Sequence, residues 1–143
     1  MNTEPTEILL IEDNPDDVEL TLRSLRTNNL ANRVKVVGDG VEALDYLMPA
    51  GSAPPDGYPK LVLLDLKLPR IGGLEVLRRL KANDATRIIP VVVLTSSREE
   101  SDLVESYSLG VNSYIVKPVD FEQFTKAVAE VGLYWLLLNK APV

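Results

Sequence analysis

The chain is 143 residues long, 45% hydrophobic and 25% charged, with a formal net charge of −6, which is room for one domain with its own core. It contains neither cysteine nor histidine, so disulfides, thiol nucleophiles, Ser-His-Asp triads and zinc or iron–sulfur centres are excluded. Any metal must be a hard cation held by oxygen, and the acidic balance argues against sequence-independent nucleic-acid binding, which needs a basic face.

The first seven residues are polar and acidic, unlike a signal peptide. Strand patterns then alternate with helical ones. Ile8–Ile11 reads as a first buried strand, because parallel strands covered on both faces are near-continuous apolar runs. Asn14 is placed to cap a first helix, with Pro15 at its first position and Asp16 and Asp17 read as first-turn charges favouring the positive end of the helix dipole. Its apolar stripe is Val18, Leu22 and Leu25. Val34–Val37 alternates, with Lys35 between valines, which suits an edge strand. Val41, Leu44, Leu47 and Met48 mark a second helix, stopped by Pro49. Residues 49–60 carry four prolines and three glycine or serine residues and read as a surface loop excursion.

Leu61–Leu64 is the third strand, and Leu74, Leu77 and Leu80 give the third helix. Residues 90–94 form the fourth strand. Ser97 with Glu100 three residues on reads as a capping box for a fourth helix, whose apolar stripe of Leu103, Val104 and Tyr107 is thin. Ser113–Val116 is the fifth strand, and Asp120 caps a fifth helix running to about Leu138. The longest apolar run, residues 131–138, falls far short of the roughly 20 residues that cross a bilayer. A cytoplasmic protein with no membrane partner is expected. Strict alternation of strand and helix implies a parallel α/β sheet with right-handed crossovers.

Chemistry-bearing residues fall at the strand ends. Glu12 and Asp13 follow strand one, Asp65 follows strand three, Thr95 follows strand four, and Lys117 follows strand five. The carboxyl ends of parallel strands lie on one edge, where open α/β sheets bind ligands at the reversal of strand order. If strand one is central and strand two is the edge, three carboxylates converge there beside a hydroxyl and an ammonium. Clustered carboxylates repel one another unless a cation is present. Without histidine, Mg²⁺ suits them, because it takes one or two carboxylates and keeps room for a phosphate oxygen. A carboxylate so placed is a competent nucleophile toward phosphorus, and the set fits phosphoryl acceptance by Asp65. A lone strand-end Asp is more often a helix cap, and Tyr114 alone is a half-buried strand aromatic. Here four separate strand ends each supply a group that one reaction requires.

These segments carry a resemblance. Leu10-Ile11-Glu12-Asp13-Asn14, Leu63-Leu64-Asp65-Leu66-Lys67-Leu68-Pro69, Val93-Leu94-Thr95-Ser96 and Tyr114-Ile115-Val116-Lys117-Pro118 resemble the four signature segments of the response-regulator receiver domain of two-component systems. Thr95 follows Asp65 by 30 residues and Lys117 follows Thr95 by 22, as is usual in that family. The resemblance implies a flavodoxin-like (βα)₅ three-layer sandwich with a five-stranded parallel sheet of order 2-1-3-4-5. It implies Asp65 as phosphoacceptor, with Asp13, Asp65 and the backbone carbonyl of Lys67 binding Mg²⁺ and Glu12 joining through a water. It implies Thr95 and Lys117 as phosphoryl contacts, Thr95 and Tyr114 as switch residues, and a cis Lys117–Pro118 bond. The implied phosphodonor is a partner histidine kinase. The long loop before strand three and the ending Tyr134-Trp135-Leu136-Leu137-Leu138 resemble the stand-alone regulators paired with bacterial phytochrome kinases.

Three departures stand out. Gly72 occupies a position where the family usually has an acid or amide, the 49–60 excursion is long, and Lys67 sits beside the phosphoryl site, where its charge is expected to alter acyl-phosphate hydrolysis. The expected organisation is one receiver domain over residues 1–143 with no output domain, signalling to an unknown downstream target by protein contact. The receiver would act only on its own phosphotransfer and dephosphorylation. The last helix is more apolar than one core-facing stripe requires (Leu133, Tyr134, Leu136, Leu137), which favours a homodimer seam over a hydrophobic tail packed back on the domain. Three other readings compete. Gly38-Asp39-Gly40-Val41-Glu42-Ala43 matches a dinucleotide fingerprint, but after the second strand rather than a central first one. A haloacid-dehalogenase-type phosphatase needs an acid where Lys67 stands. A pseudo-receiver that only binds partners would have no use for the intact acidic set.

Overall fold

The computed structural model describes residues 7–27, 33–50, 53–54, 57–117, 122–123 and 126. Strands β1 (Ile8–Ile11), β2 (Val34–Val37), β3 (Leu61–Leu64), β4 (Val91–Thr95) and β5 (Ser113–Val116) alternate with helices α1 (Pro15–Thr27), α2 (Gly40–Leu47), α3 (Gly73–Ala82) and α4 (Glu100–Ser108). Every neighbouring strand pair is parallel, in the order β2-β1-β3-β4-β5. This is the flavodoxin-like architecture expected from the sequence. The chain leaves β1 for the edge at β2, then passes back over β1 to β3, so the strand order reverses between β1 and β3.

The sheet is covered on both faces, and the two-residue period of the strands sorts the core. Leu9, Ile11, Val62, Leu64, Val91 and Val93 pack with Ala43, Leu44 and Leu47 of α2 and Val76, Leu77 and Leu80 of α3. Ile8, Leu10, Leu61, Leu63, Val92, Leu94 and Ile115 face the other side with Leu25 of α1. In edge strand β2, Val34 and Val36 are half-buried on the α1 side, whereas Lys35 and Val37 share the opposite face, Lys35 exposed and Val37 buried.

Local sequence explains most boundaries. Asn14 Oδ1 accepts the amides of Asp16 (2.9 Å) and Asp17 (3.1 Å), capping α1 as expected. The fourth strand begins at Val91 rather than at Pro90 and runs on to Thr95. Proline has no N–H for the ladder, whereas the Val91 amide reaches Asn112 Oδ1 (3.1 Å) and the Thr95 carbonyl accepts from Lys117 N (2.8 Å). The Ser97–Glu100 capping box does not form. α4 starts at Glu100, with Glu99 in the N-cap position and no side-chain cap bond. Ser97 is held back toward β4 because its amide donates to Thr95 Oγ1 (3.3 Å), and its own hydroxyl donates to Asp102 Oδ2 (2.6 Å). Of the expected fifth helix only residues 122, 123 and 126 are described, each helical; the apolar set at 133–137 and Pro118 with its peptide bond lie outside the described residues.

The inward stripes of α2 and α3 each begin one residue earlier than leucine spacing suggests, at Gly40 and Gly73, leaving Val41 and Leu74 half-buried. Both glycines mark close backbone approaches. A Cβ on Gly40 would lie 2.1 Å from the Ile71 carbonyl oxygen, and one on Gly73 would lie 2.4 Å from both the Asp65 carbonyl oxygen and Leu66 Cα. The first turn of α3 is therefore pressed against the backbone that carries Asp65, and Gly73 N donates to the Leu66 carbonyl (2.9 Å). In the 49–60 excursion, the Gly57 amide closes a turn on the Pro54 carbonyl (3.0 Å), and Lys60 N returns to the Glu7 carbonyl (2.9 Å) at the entry to β3.

Gly73→Ala is predicted to cost about 1–3 kcal/mol by overpacking against backbone that cannot yield. Gly72→Ala, whose Cβ would meet nothing within 4 Å, should stay within about 0.5 kcal/mol of wild type. Urea denaturation of the two variants checks this, and equal losses would contradict it.

Candidate functional site

Register brings the strand-end residues together. Ile11 pairs with Leu64 and Thr95 with Val116. The ladders continue one step beyond the strands: the Asp65 amide donates to the Ile11 carbonyl (3.0 Å), and the Glu12 amide donates to the Val37 carbonyl (3.0 Å). Glu12, Asp65, Thr95 and Lys117 thus share one rim of the sheet. Asp13, one residue past Glu12, is exposed at the mouth.

The Lys117 ammonium is the hub. It donates to Glu12 Oε1 (2.6 Å), Asp17 Oδ2 (2.7 Å) and Asp65 Oδ2 (3.0 Å). An ammonium has three N–H donors, and each has a carboxylate. The Lys117 side chain is 12% exposed, Glu12 3%, Asp65 6% and Asp17 31%. The second oxygen of each inner carboxylate is also engaged. Asp65 Oδ1 accepts the Lys67 amide (3.0 Å), and Glu12 Oε2 accepts the Asn14 amide (3.2 Å). Both carboxylates are therefore fixed in orientation by backbone as well as by Lys117.

Electrostatics follow from burial. Desolvation pushes the Glu12 carboxyl from 4.5 up to about 7, the Lys117 hydrogen bond opposes this, and the Asp65 charge adds to it. Mutual repulsion of the carboxylates is present, but burial is the larger cause. For Lys117, desolvation works against the charge, and the bonds to Asp17, Glu12 and Asp65 outweigh it and hold the ammonium above its ordinary range. Carboxylate oxygens of Glu12, Asp13 and Asp65 lie within 4.8 Å of one another. All are hard oxygen donors, and the Asp13 carboxylate makes no hydrogen bond among the described residues. Donor type, spacing and an uncommitted acid at the mouth fit a small divalent cation.

Thr95 is fully buried, its Oγ1 accepting the Ser97 amide. Half-buried Tyr114 donates its hydroxyl to the Ser97 carbonyl (3.1 Å). Ser97 therefore joins Thr95, Tyr114 and, through Asp102, the first turn of α4. Lys67 contributes its amide to Asp65 while its side chain is exposed. Sequence reasoning treated Asp17 as a helix-end charge and missed its bond to Lys117. The signal was its place at the third residue of a helix that starts beside the acidic pair. The glycine pattern after β2 is already committed: the Gly38 amide donates to Glu42 Oε1 (2.8 Å), the Glu42 amide to Asp39 Oδ1 (2.8 Å), and Gly40 abuts Ile71. Amides that a dinucleotide phosphate needs are spent on capping α2.

A doubly wound parallel sheet with an acidic, lysine-tethered rim is the arrangement of a signalling receiver rather than of a nucleotide-binding enzyme. Residues 8–129 match the response regulator receiver domain, and the chain belongs to that family. It is 42% identical over 140 residues to the probable methanogenesis regulatory protein FilR2 of Methanothrix harundinacea, covering 97% of this chain and 89% of that one. It is 38% identical over 132 residues to the response regulator Rcp1 of Synechocystis sp., covering 92% and 90%. Among solved structures, the bacteriophytochrome response regulator AtBRR is similar at 58% identity and a TM-score of 0.80, over 96% of this chain and 99% of that one. The Mn²⁺-bound form of Rcp1 is similar at 37% identity and 0.77, over 97% and 100%.

The raised Glu12 value sets a pH dependence. The folded chain holds this proton more tightly than the unfolded chain does, so the contribution is complete below about 4.5 and is lost as pH rises through about 7. Denaturant unfolding in chelator across that window should show wild-type stability falling with pH and the slope reduced in Glu12→Gln. An unchanged slope in the variant would contradict the assignment.

Proposed function

We propose that the chain accepts a phosphoryl group on Asp65 from the phosphohistidine of a partner kinase and passes the signal on by protein contact. The observation that carries this reading is the double hold on Asp65: an ammonium on one oxygen and a backbone amide on the other, at 3.0 Å each. In the transfer, an Asp65 oxygen attacks phosphorus, the P–N bond breaks, and the electron pair leaves with the imidazole nitrogen. Later, water attacks phosphorus, and Asp65 returns to a carboxylate as inorganic phosphate departs.

Asp13 and Asp65, with the Lys67 carbonyl, are the groups that would hold Mg²⁺, with Glu12 the third carboxylate beside them. The bound ion supplies neutralising charge for the phosphoryl oxygens. Lys117 neutralises the same oxygens from the β5 side, and Thr95 offers them its hydroxyl. Phosphorylation adds nearly two negative charges. Drawing the Thr95 hydroxyl toward them releases the Ser97 amide, and with it the turn that holds Tyr114 and Asp102. α4 is the element able to respond: Ser106 is its buried residue, while Val104 and Tyr107 are about half exposed. This exposed face is the output surface in our reading.

The similarity to AtBRR, described as a bacteriophytochrome response regulator, supports a phytochrome-type histidine kinase as the partner. Surplus apolar residues at Leu133, Tyr134, Leu136 and Leu137 support self-association through the segment that carries them. No helix among the described residues is long and apolar enough to cross a membrane, in keeping with a cytoplasmic site of action.

Incubation with a small-molecule phosphodonor and Mg²⁺, followed by intact-mass measurement, tests this reading. Wild type should gain one phosphoryl group and Asp65→Asn none; gain by the variant would refute Asp65 as acceptor. In the same assay Lys67→Ala should change the decay rate of the phosphorylated form. An unaltered rate would remove Lys67 from the hydrolysis step.

A further inference from the structure

The Lys117 ammonium is fully subscribed before any phosphoryl group arrives. One of its three carboxylates, Asp17, belongs neither to the acidic cluster of Glu12, Asp13 and Asp65 nor to the acceptor itself. Asp17 is the third residue of α1, and the Asn14 cap and Pro15 fix the turn that carries it. Its bond to Lys117, at 2.7 Å, is shorter than the 3.0 Å bond from Lys117 to Asp65. Asp17 is also the most exposed of the three partners, at 31%. It therefore shares the ammonium with the Asp65 carboxylate from the α1 side of the mouth.

We propose that Asp17 is a positioning residue of the phosphoryl site, a carboxylate that competes with the phosphoryl oxygens for Lys117 while adding negative charge that favours the divalent cation. The inference rests on the phosphoacceptor reading given above. Two consequences have opposite signs. Once Asp65 carries a phosphoryl group, the acyl phosphate no longer attracts the ammonium as a free carboxylate does, and the phosphoryl oxygens take over. Asp17 stays beside the ammonium and retains part of it. Removing the Asp17 charge gives Lys117 wholly to Glu12 and the phosphoryl group, and it lowers repulsion of an incoming anion. It also withdraws one negative charge from the neighbourhood of the metal-binding oxygens.

The test is Asp17→Asn against wild type, with beryllofluoride as phosphoryl mimic at saturating Mg²⁺ and, separately, calorimetric titration with Mg²⁺ alone. The half-saturating beryllofluoride concentration should fall about three- to tenfold, and the Mg²⁺ dissociation constant should rise by a similar factor, the scale of one charge in a partly solvated site. Asp17→Glu, which restores the charge, should return both constants toward wild type. Asp16→Asn removes the neighbouring exposed carboxylate, which makes no bond to Lys117, and should move neither by more than about twofold. Weaker binding of both ligands in Asp17→Asn would mean that Asp17 merely supports the fold and would overturn the proposal, as would two unchanged constants or an equal effect of Asp16→Asn. If wild type itself takes neither beryllofluoride nor phosphoryl, the phosphoacceptor reading fails and this proposal falls with it. A wild type that saturates normally beside an unresponsive Asp17→Asn defeats the proposal alone.

Discussion

One buried ammonium organises the carboxyl edge of this sheet. Lys117 ties the end of β5 to residues 105, 100 and 52 positions away in the chain, so a single side chain joins β1, α1 and β3 to the far side of the sheet. Burying carboxylates as deeply as Glu12 and Asp65 is costly unless their charge is compensated. Two charge-assisted hydrogen bonds from Lys117 and the amides of Asn14 and Lys67 supply part of that compensation. The sheet order makes it possible. β1 and β3 are adjacent at the reversal of strand order, which sets Glu12 beside Asp65, and the in-register end of β5 carries Lys117 to the same rim.

The compensation is incomplete, and under the proposed function that shortfall is what would draw a cation and a phosphoryl group to the site. Glu12, Asp13, Asp17 and Asp65 face one ammonium. Glu12 holds its proton unusually tightly, and Asp13 stands at the mouth without a hydrogen-bond partner among the described residues. A divalent ion relieves both conditions. The same rim leads directly into the helix layer, because Thr95 is bonded to Ser97, which is bonded in turn to Tyr114 and Asp102. A change at the Thr95 hydroxyl has a short covalent and hydrogen-bonded route to the first turn of α4, an element that buries little of its own surface.

The sheet and most of the rim were legible in the sequence for physical reasons that can be named. Buried parallel strands read as continuous apolar runs, and four of the five strands have the bounds their residues predict. The fourth was misplaced by one residue at each end, since proline looks apolar but cannot donate to a ladder. Residue types at strand ends gave Glu12, Asp13, Asp65, Thr95 and Lys117, because the topology alone sends all of those ends to one edge. Asp17 was not legible. Its role depends on which way the first turn of α1 faces, and a helix-dipole explanation already accounted for an acid there. Ser97 misled for a related reason: the capping pattern was intact in sequence, but the competing bond to Thr95 keeps that residue out of the helix. Gly40 and Gly73 likewise reveal their purpose only in the close backbone approaches they permit.

The central claim is that Lys117 and Asp65 form a poised pair, with the ammonium resting on the acceptor carboxylate until a phosphoryl group replaces that contact. The most direct measurement is a crystal structure of the protein with Mg²⁺ and beryllofluoride. The prediction is beryllium bonded to an Asp65 carboxylate oxygen, with Lys117 Nζ and Thr95 Oγ1 hydrogen-bonded to its fluorines and the Lys117–Glu12 contact retained. Beryllofluoride bound away from Asp65, or Lys117 still seated on the Asp65 carboxylate with no fluorine contact, would contradict it.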